Sequence, residues 1–199
     1  QNATHYMRFI GGQDVFSFDL LFNAGLLAPR CVTAFDKGRK HFVVTEDDII
    51  IHGGTSDFES ILQDRVRDTL FAELDTYNYR NSFTVEDPFL KTVLFCYPTS
   101  GQTIPNRALV WNYRNNTIDF QDIKGISGDI GALELDNDTV AWDDDPDAWD
   151  SGTGVWNEEA GLLGRRRVVL ASPEDTETYL LNFGYVFGNT SNSRSFVER

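Results

Sequence analysis

Hydrophobic positions in the first part of the chain fall in short runs separated by turn residues. Residues 15–18 form one candidate strand, 31–35 a second, 41–45 a third and 49–52 a fourth. Asp36, Lys37, Gly38 and Arg39 fill the second gap, Glu46, Asp47 and Asp48 the third, and Gly53 with Gly54 close the last run. Strands of about five residues joined by such short turns predict an antiparallel meander. The period then changes. Ser56 and Glu59 match the S-x-x-E capping box, in which each side chain satisfies a backbone N–H of the other. Leu62, Val66, Leu70 and Leu74 follow at four-residue spacing, widened by Ile61 and Phe71, with charged residues between them. That pattern predicts one amphipathic helix near 58–74, docked by a single face.

Strand patterns resume at 82–85, turn at Glu86, Asp87 and Pro88, and return at 92–97, where Pro98 ends the run. Residues 108–113 and 117–120 read as a hairpin around Arg114, Asn115 and Asn116. From 125 to 164 the composition shifts to Gly, Asp and Trp, which predicts a long loop or a rim insertion. Strand patterns reappear at 167–171 and 178–182, and the polar tail from 188 to 199 reads as an extended arm or a cut edge. The whole chain, 1–199, is thus expected to be a single mainly-β region. Groups of about four strands in meander order suggest the blade-like sheets of a β-propeller, and the residues present supply about three or four blades. A closed propeller usually needs more, so the propeller is partial or the chain belongs to a longer propeller-bearing protein. A β-sandwich is the competing architecture.

Composition narrows the function classes. Fifteen Phe and four Trp against a single Met favour aromatic-rich strands over a helical bundle. A net charge of −14 argues against a surface that grips nucleic acid, because phosphate binding needs clustered Lys and Arg. It is compatible with a wall past which DNA slides, and with surplus carboxylates that keep an assembly soluble. Cys31 and Cys96 lie far apart with no CxxC spacing and read as core thiols of a reducing compartment. No apolar run is long enough to span a membrane, and no secretory leader is seen. The sequons at Asn2, Asn115, Asn137 and Asn189 therefore read as chance matches among turn residues. The chain begins at Gln1 rather than Met, as a processed piece or the ordered part of a longer protein does.

Candidate chemistry is sparse. Trp142, Trp149 and Trp156 recur every seven residues, each followed by Asp or Asn, with Asp143, Asp144, Asp145 and Asp147 crowded between the first two. A calcium loop would use such carboxylates, yet Ala148 and Gly154 stand where that pattern needs Gly and Glu. The favoured reading is a loop anchored by its Trp rings, with Asp side chains capping turns. The Trp-Asp pairs lie seven apart, not at the roughly 40-residue spacing of WD repeats. His5, His41 and His52 match no metalloprotease frame, and neither a nucleophile elbow nor a P-loop is present. Arg165, Arg166 and Arg167 are the one basic cluster, a candidate contact for an acidic partner or simply a solvated strand edge. Counting carboxylates does not by itself remove a glycosidase pair.

The order of several short segments carries a resemblance. Pro29-Arg30-Cys31-Val32 leads to His41-Phe42-Val43-Val44-Thr45-Glu46-Asp47-Asp48-Ile49 and His52-Gly53-Gly54. Then come Asp64-Arg65-Val66-Arg67, Val93-Leu94-Phe95-Cys96-Tyr97-Pro98 and Ala108-Leu109-Val110-Trp111-Asn112-Tyr113-Arg114. The Trp/Asp loop and Val168-Val169-Leu170-Ala171-Ser172 complete the series. This order resembles the tail nozzle, or packaged-DNA stabilisation (head-to-tail completion), proteins of short-tailed bacteriophages. The resemblance implies a structural virion protein of the tail or neck, assembled in the host bacterial cytoplasm. It implies a propeller-bearing subunit in a hexameric ring, adjoining portal, adaptor and tail proteins and touching translocating DNA only passively. Such a ring extends the DNA channel and helps retain the packaged genome. The family has no catalytic residue, metal or cofactor to carry over, and its members are usually much longer than this chain. The alternative expectation is a propeller-type module binding a protein or glycan through rim loops such as 136–158. A glycan-cleaving enzyme ranks third.

Overall fold

The computed structural model describes residues 3–12, 14–132, 166–172, 178–181, 186–187, 191–192 and 195–197. Among these residues the fold is mainly β, with antiparallel sheets and one α-helix. Strands β1 (Thr4–Phe9) and β2 (Phe16–Phe22) make an antiparallel hairpin. Strands β3 (Val32–Phe35), β4 (Lys40–Val44), β5 (Ile49–His52) and β6 (Phe58–Ser60) form a four-stranded meander in sequence order. Its first turn runs through Asp36, Lys37 and Gly38, all at positive φ, which is why Gly stands there. The second turn is held by Thr45, whose N–H donates to the Asp48 carbonyl at 2.8 Å.

Helix α1 (Asp64–Glu73) is shorter than the sequence pattern predicts. The expected helix near 58–74 is corrected at its start: Phe58, Glu59 and Ser60 pair with His52, Ile51 and Ile50 as β6. Pairing there covers backbone groups that a helix would leave bare along β5. The Ser56/Glu59 capping box therefore does not form, and Gln63 occupies the cap position with no side-chain hydrogen bond. The apolar stripe itself is as read. Leu62 and Leu70 are buried, and Val66, Phe71 and Leu74 pack against the same core.

A second meander follows: β7 (Phe83–Asp87), β8 (Thr92–Tyr97), β9 (Arg107–Asn112) and β10 (Thr117–Asp122). The β9–β10 turn carries Asn116 at positive φ, and Trp111 Nε1–H donates to Asn116 Oδ1 at 3.0 Å. Strand β16 (Ser195–Val197) adds to the free edge of β10, so part of the polar tail completes a five-stranded sheet. Residues 127–132, at the start of the Gly/Asp/Trp segment, form β11 (Ser127–Ala132). It joins β12 (Arg166–Ala171) and β13 (Thr178–Leu180) in a three-stranded sheet. Strands β14 (Val186–Phe187) and β15 (Ser191–Asn192) pair with each other.

Side-chain alternation turns these sheets into layers. Phe42, Val44, Ile49 and Ile51 face Val93, Phe95, Tyr97, Leu109 and Trp111, with α1 closing the gap. The opposite face of the second meander sends Phe83, Val85, Leu94, Cys96 and Ala108 against Val168, Leu170 and Leu181. All six residues of β8 are buried as a result. On the outer face of the first meander, Val43 and Ile50 meet Phe22 from the end of β2. Cys31 and Cys96 are free, buried thiols, and burial pushes Cys31 up to about 12.

The junction between α1 and the second meander is tied by polar groups. The Asp75 N–H donates to the Pro98 carbonyl, and the Asp75 carboxylate accepts from the N–H groups of Gly101, Asn78 and Tyr77. Those bonds, Gly101 first, hold Asp75 below the ordinary carboxylate range. Beside it, Tyr97 Oη donates to Glu73 Oε2 at 3.2 Å and Arg107 Nη1 lies 3.4 Å from Glu73 Oε1.

Candidate interaction surface

Among the described residues, hairpin β1–β2 meets the body at its base. The Thr4 hydroxyl donates to the Ala24 carbonyl at 2.7 Å, and Phe22 packs on the outer face of the first meander. Phe22 also meets the edge of the His52 ring, with centroids 5.2 Å apart, and lies 5.3 Å from Phe58. Beyond that anchor the register sets His5 opposite Leu20, Met7 opposite Phe18 and Phe9 opposite Phe16. Residues directly opposite each other share a face. One face of the hairpin therefore carries Met7, Phe9, Phe16, Phe18 and Leu20, with His5 beside Leu20, while Tyr6, Arg8, Ser17 and Asp19 lie on the other.

The apolar face is open. Met7 is 58% exposed, Phe9 70%, Phe16 47%, Phe18 68% and Leu20 54%. Phe9 and Phe16 meet edge to face at 6.0 Å, so the side chains form a continuous strip. At about 200 Å² for a fully exposed large side chain, the strip presents about 600 Å², the upper end of what a soluble monomer leaves bare.

Under the hairpin's anchor lie two histidines. His41 and His52 are cross-strand partners in β4 and β5, and their rings stack at 5.0 Å and 17°. His52 Nδ1 accepts the Gly54 N–H at 3.1 Å. Burial, and then the neighbouring His41, hold His52 below the ordinary histidine range. With Nδ1 engaged as an acceptor, the neutral ring carries its proton on Nε2 and packs as an aromatic wedge. Among the described residues, no three of His, Cys, Asp and Glu are gathered to hold a metal. A cavity of about 70 Å³ beside Pro105, Asn106, Lys124 and Ser172 is far smaller than the roughly 300 Å³ at which small-molecule sites begin.

The candidates read from the sequence lie elsewhere. Trp142, Trp149, Trp156 and Arg165 fall outside the described residues. Arg166 opens β12 opposite Ala132. Its neighbour Arg167 sets its guanidinium 3.8 Å from the centroid of the Phe89 ring, a packing contact at the turn between β7 and β8. The hairpin surface was missed because β1 was not read as a strand. Its signal was present: His5, Met7 and Phe9 alternate with Tyr6 and Arg8 ahead of Gly11-Gly12, and residues 15–18 supply the return strand.

No protein-family model matches the chain, and no curated protein sequence matches it. What the hairpin does therefore rests on its own chemistry. No helix among the described residues is long and apolar enough to cross a membrane.

Proposed function

We propose that this chain is a structural component of a bacteriophage tail or neck. It is one subunit of a ring-shaped nozzle that extends the DNA channel and helps retain packaged DNA, and it works by shape and assembly rather than by catalysis. The order of sequence segments described above supports this reading. The structural observation that supports its propeller component is the layering of the sheets. Two four-stranded meanders stack face to face, and the second is covered on both faces, with β11–β13 beyond it and the hairpin anchor on the far side of the first. Sheets stacked in series are what a propeller's blades provide, whereas each sheet of a two-layer sandwich buries one face only. The acidic surface suits a conduit, since it repels the DNA backbone rather than holding it.

Electron microscopy of virions, with the chain labelled by a specific antibody, tests the proposal. Label on the tail or neck, in a ring of copies below the portal, is the expected result. Virions whose tails carry no such label would remove the proposal.

A further inference from the structure

We infer that the apolar face of hairpin β1–β2 docks on a second copy of this chain. The inference deepens the ring reading and rests on it only for the number of copies. The hairpin is an arm rather than a layer of the body. Its stripe of Phe16, Phe18, Leu20 and Phe22 begins bare and becomes buried only at Phe22. An isolated two-stranded hairpin is marginally stable in water unless its apolar side packs on something. Among the described residues, that side packs on nothing past its base.

Two features make the occupant another copy. The first is area. About 600 Å² of apolar strip per copy, with the polar rim of His5 and the strand edges added, approaches the roughly 800 Å² per partner of a stable interface. The second is charge. Copies at −14 repel one another, so a contact between them is favoured where the local charge is low. Residues 3–22 carry one cation, Arg8, against two anions, Asp14 and Asp19, a balance of −1 with histidine neutral. Arg8 and Asp19 lie on the other face, 3.9 Å apart, so the apolar strip meets a neighbour without burying either charge.

The test is the size of the full chain in solution, by sedimentation velocity at about 10 µM, where a micromolar contact is populated. Wild type is compared with Phe18→Asp, with Phe9→Ser, and with Tyr77→Ser as a control on an exposed aromatic away from the hairpin. Near-ultraviolet circular dichroism confirms that each variant is folded. Removing a central anchor should weaken association by about 30-fold or more, and Tyr77→Ser should leave it unchanged. A hexamer in the wild type that falls apart in both hairpin variants supports the inference and the ring together. A wild-type dimer that those variants dissociate supports the inference and removes the ring. A ring that survives both variants overturns the inference and leaves the ring standing. A wild type that stays monomeric overturns both.

Discussion

Strands β8 and β2 carry comparable loads of large apolar side chains, and only one of them is covered. In β8 the run is continuous, Val93 to Tyr97, and both faces are buried between layers. In β2 the run alternates, with Ser17 and Asp19 between Phe16, Phe18 and Leu20, as in a strand with one covered face. Among the described residues no element covers that face. The difference teaches that alternation reports what a strand is built to meet, and that neighbours decide whether it is met within one chain.

The largest effect belongs to β8. Phe95 is fully buried, stacked 5.3 Å from Tyr97, and surrounded on its face by the first meander and α1. Phe95→Ala is expected to cost about 3–5 kcal/mol, through lost transfer energy and a cavity that rigid sheets cannot close. Urea denaturation measures it, and a loss under about 1 kcal/mol would contradict a tightly packed interlayer core. Next comes the other side of the same sheet. A methyl group at Gly128 would sit 2.8 Å from Leu170 Cδ2 and 2.9 Å from Phe83 Cε2, and both of those side chains are fully buried. Gly128→Ala should therefore destabilise by about 1–3 kcal/mol through overpacking. A neutral result in the same denaturation series would mean that β11 packs less closely than its register implies.

Much of this architecture was legible in the sequence. The strands around residues 31–52 and 82–120 are continuous or alternating runs bounded by turn residues, and local signals of that kind survive folding. Where reading failed, a non-local contact had won. Phe58-Glu59-Ser60 resembles the first turn of a helix, but pairing with β5 took it into a sheet. Ser195–Val197 is a three-residue segment of a polar tail, too short to read as a strand by itself, and pairing with the free edge of β10 makes it one. The hairpin surface is half legible: residues 15–18 carry a strand pattern, whereas the sequence reading predicts no strand at residues 4–9. Exposure could not be read at all, because an apolar face looks the same in sequence whether covered or bare.

The junction between the two regions responds to acid. His52 joins the hairpin's Phe22 to the first meander, and folding lowers its affinity for protons. Below the unfolded value of 6.5 the unfolded chain then binds more protons than the folded one. The neutral ring's contribution is full above that value and is lost as the pH falls from 6.5 through the lower folded value. Protonation at Nδ1 would also remove the acceptor for the Gly54 N–H. His52→Phe keeps an aromatic wedge without the titration. Urea midpoints at about pH 7.5 and about pH 5.5 should therefore differ less in His52→Phe than in the wild type. Equal differences in the two proteins would show that the stacked pair does not govern this part of the pH response.

The smallest effect is the most diagnostic. Phe18 is two-thirds exposed on the open strip, so in a dilute, dissociated chain Phe18→Ser should change stability by no more than about 0.5 kcal/mol. Association changes that. A contact made only by the folded state raises the melting temperature with protein concentration, because mass action favours the folded, bound form. Wild type should therefore melt higher as concentration rises, and Phe18→Ser should not follow, so the gap between them opens. The gap for Phe95→Ala against wild type has no such origin when Phe18→Ser is made in both backgrounds, and it should stay constant across the series. If the Phe18→Ser gap is also constant, the bare face of β2 contributes nothing beyond its own chain. If that gap is already several kcal/mol at the lowest concentration, the face is covered within the monomer, and the contrast between β2 and β8 disappears.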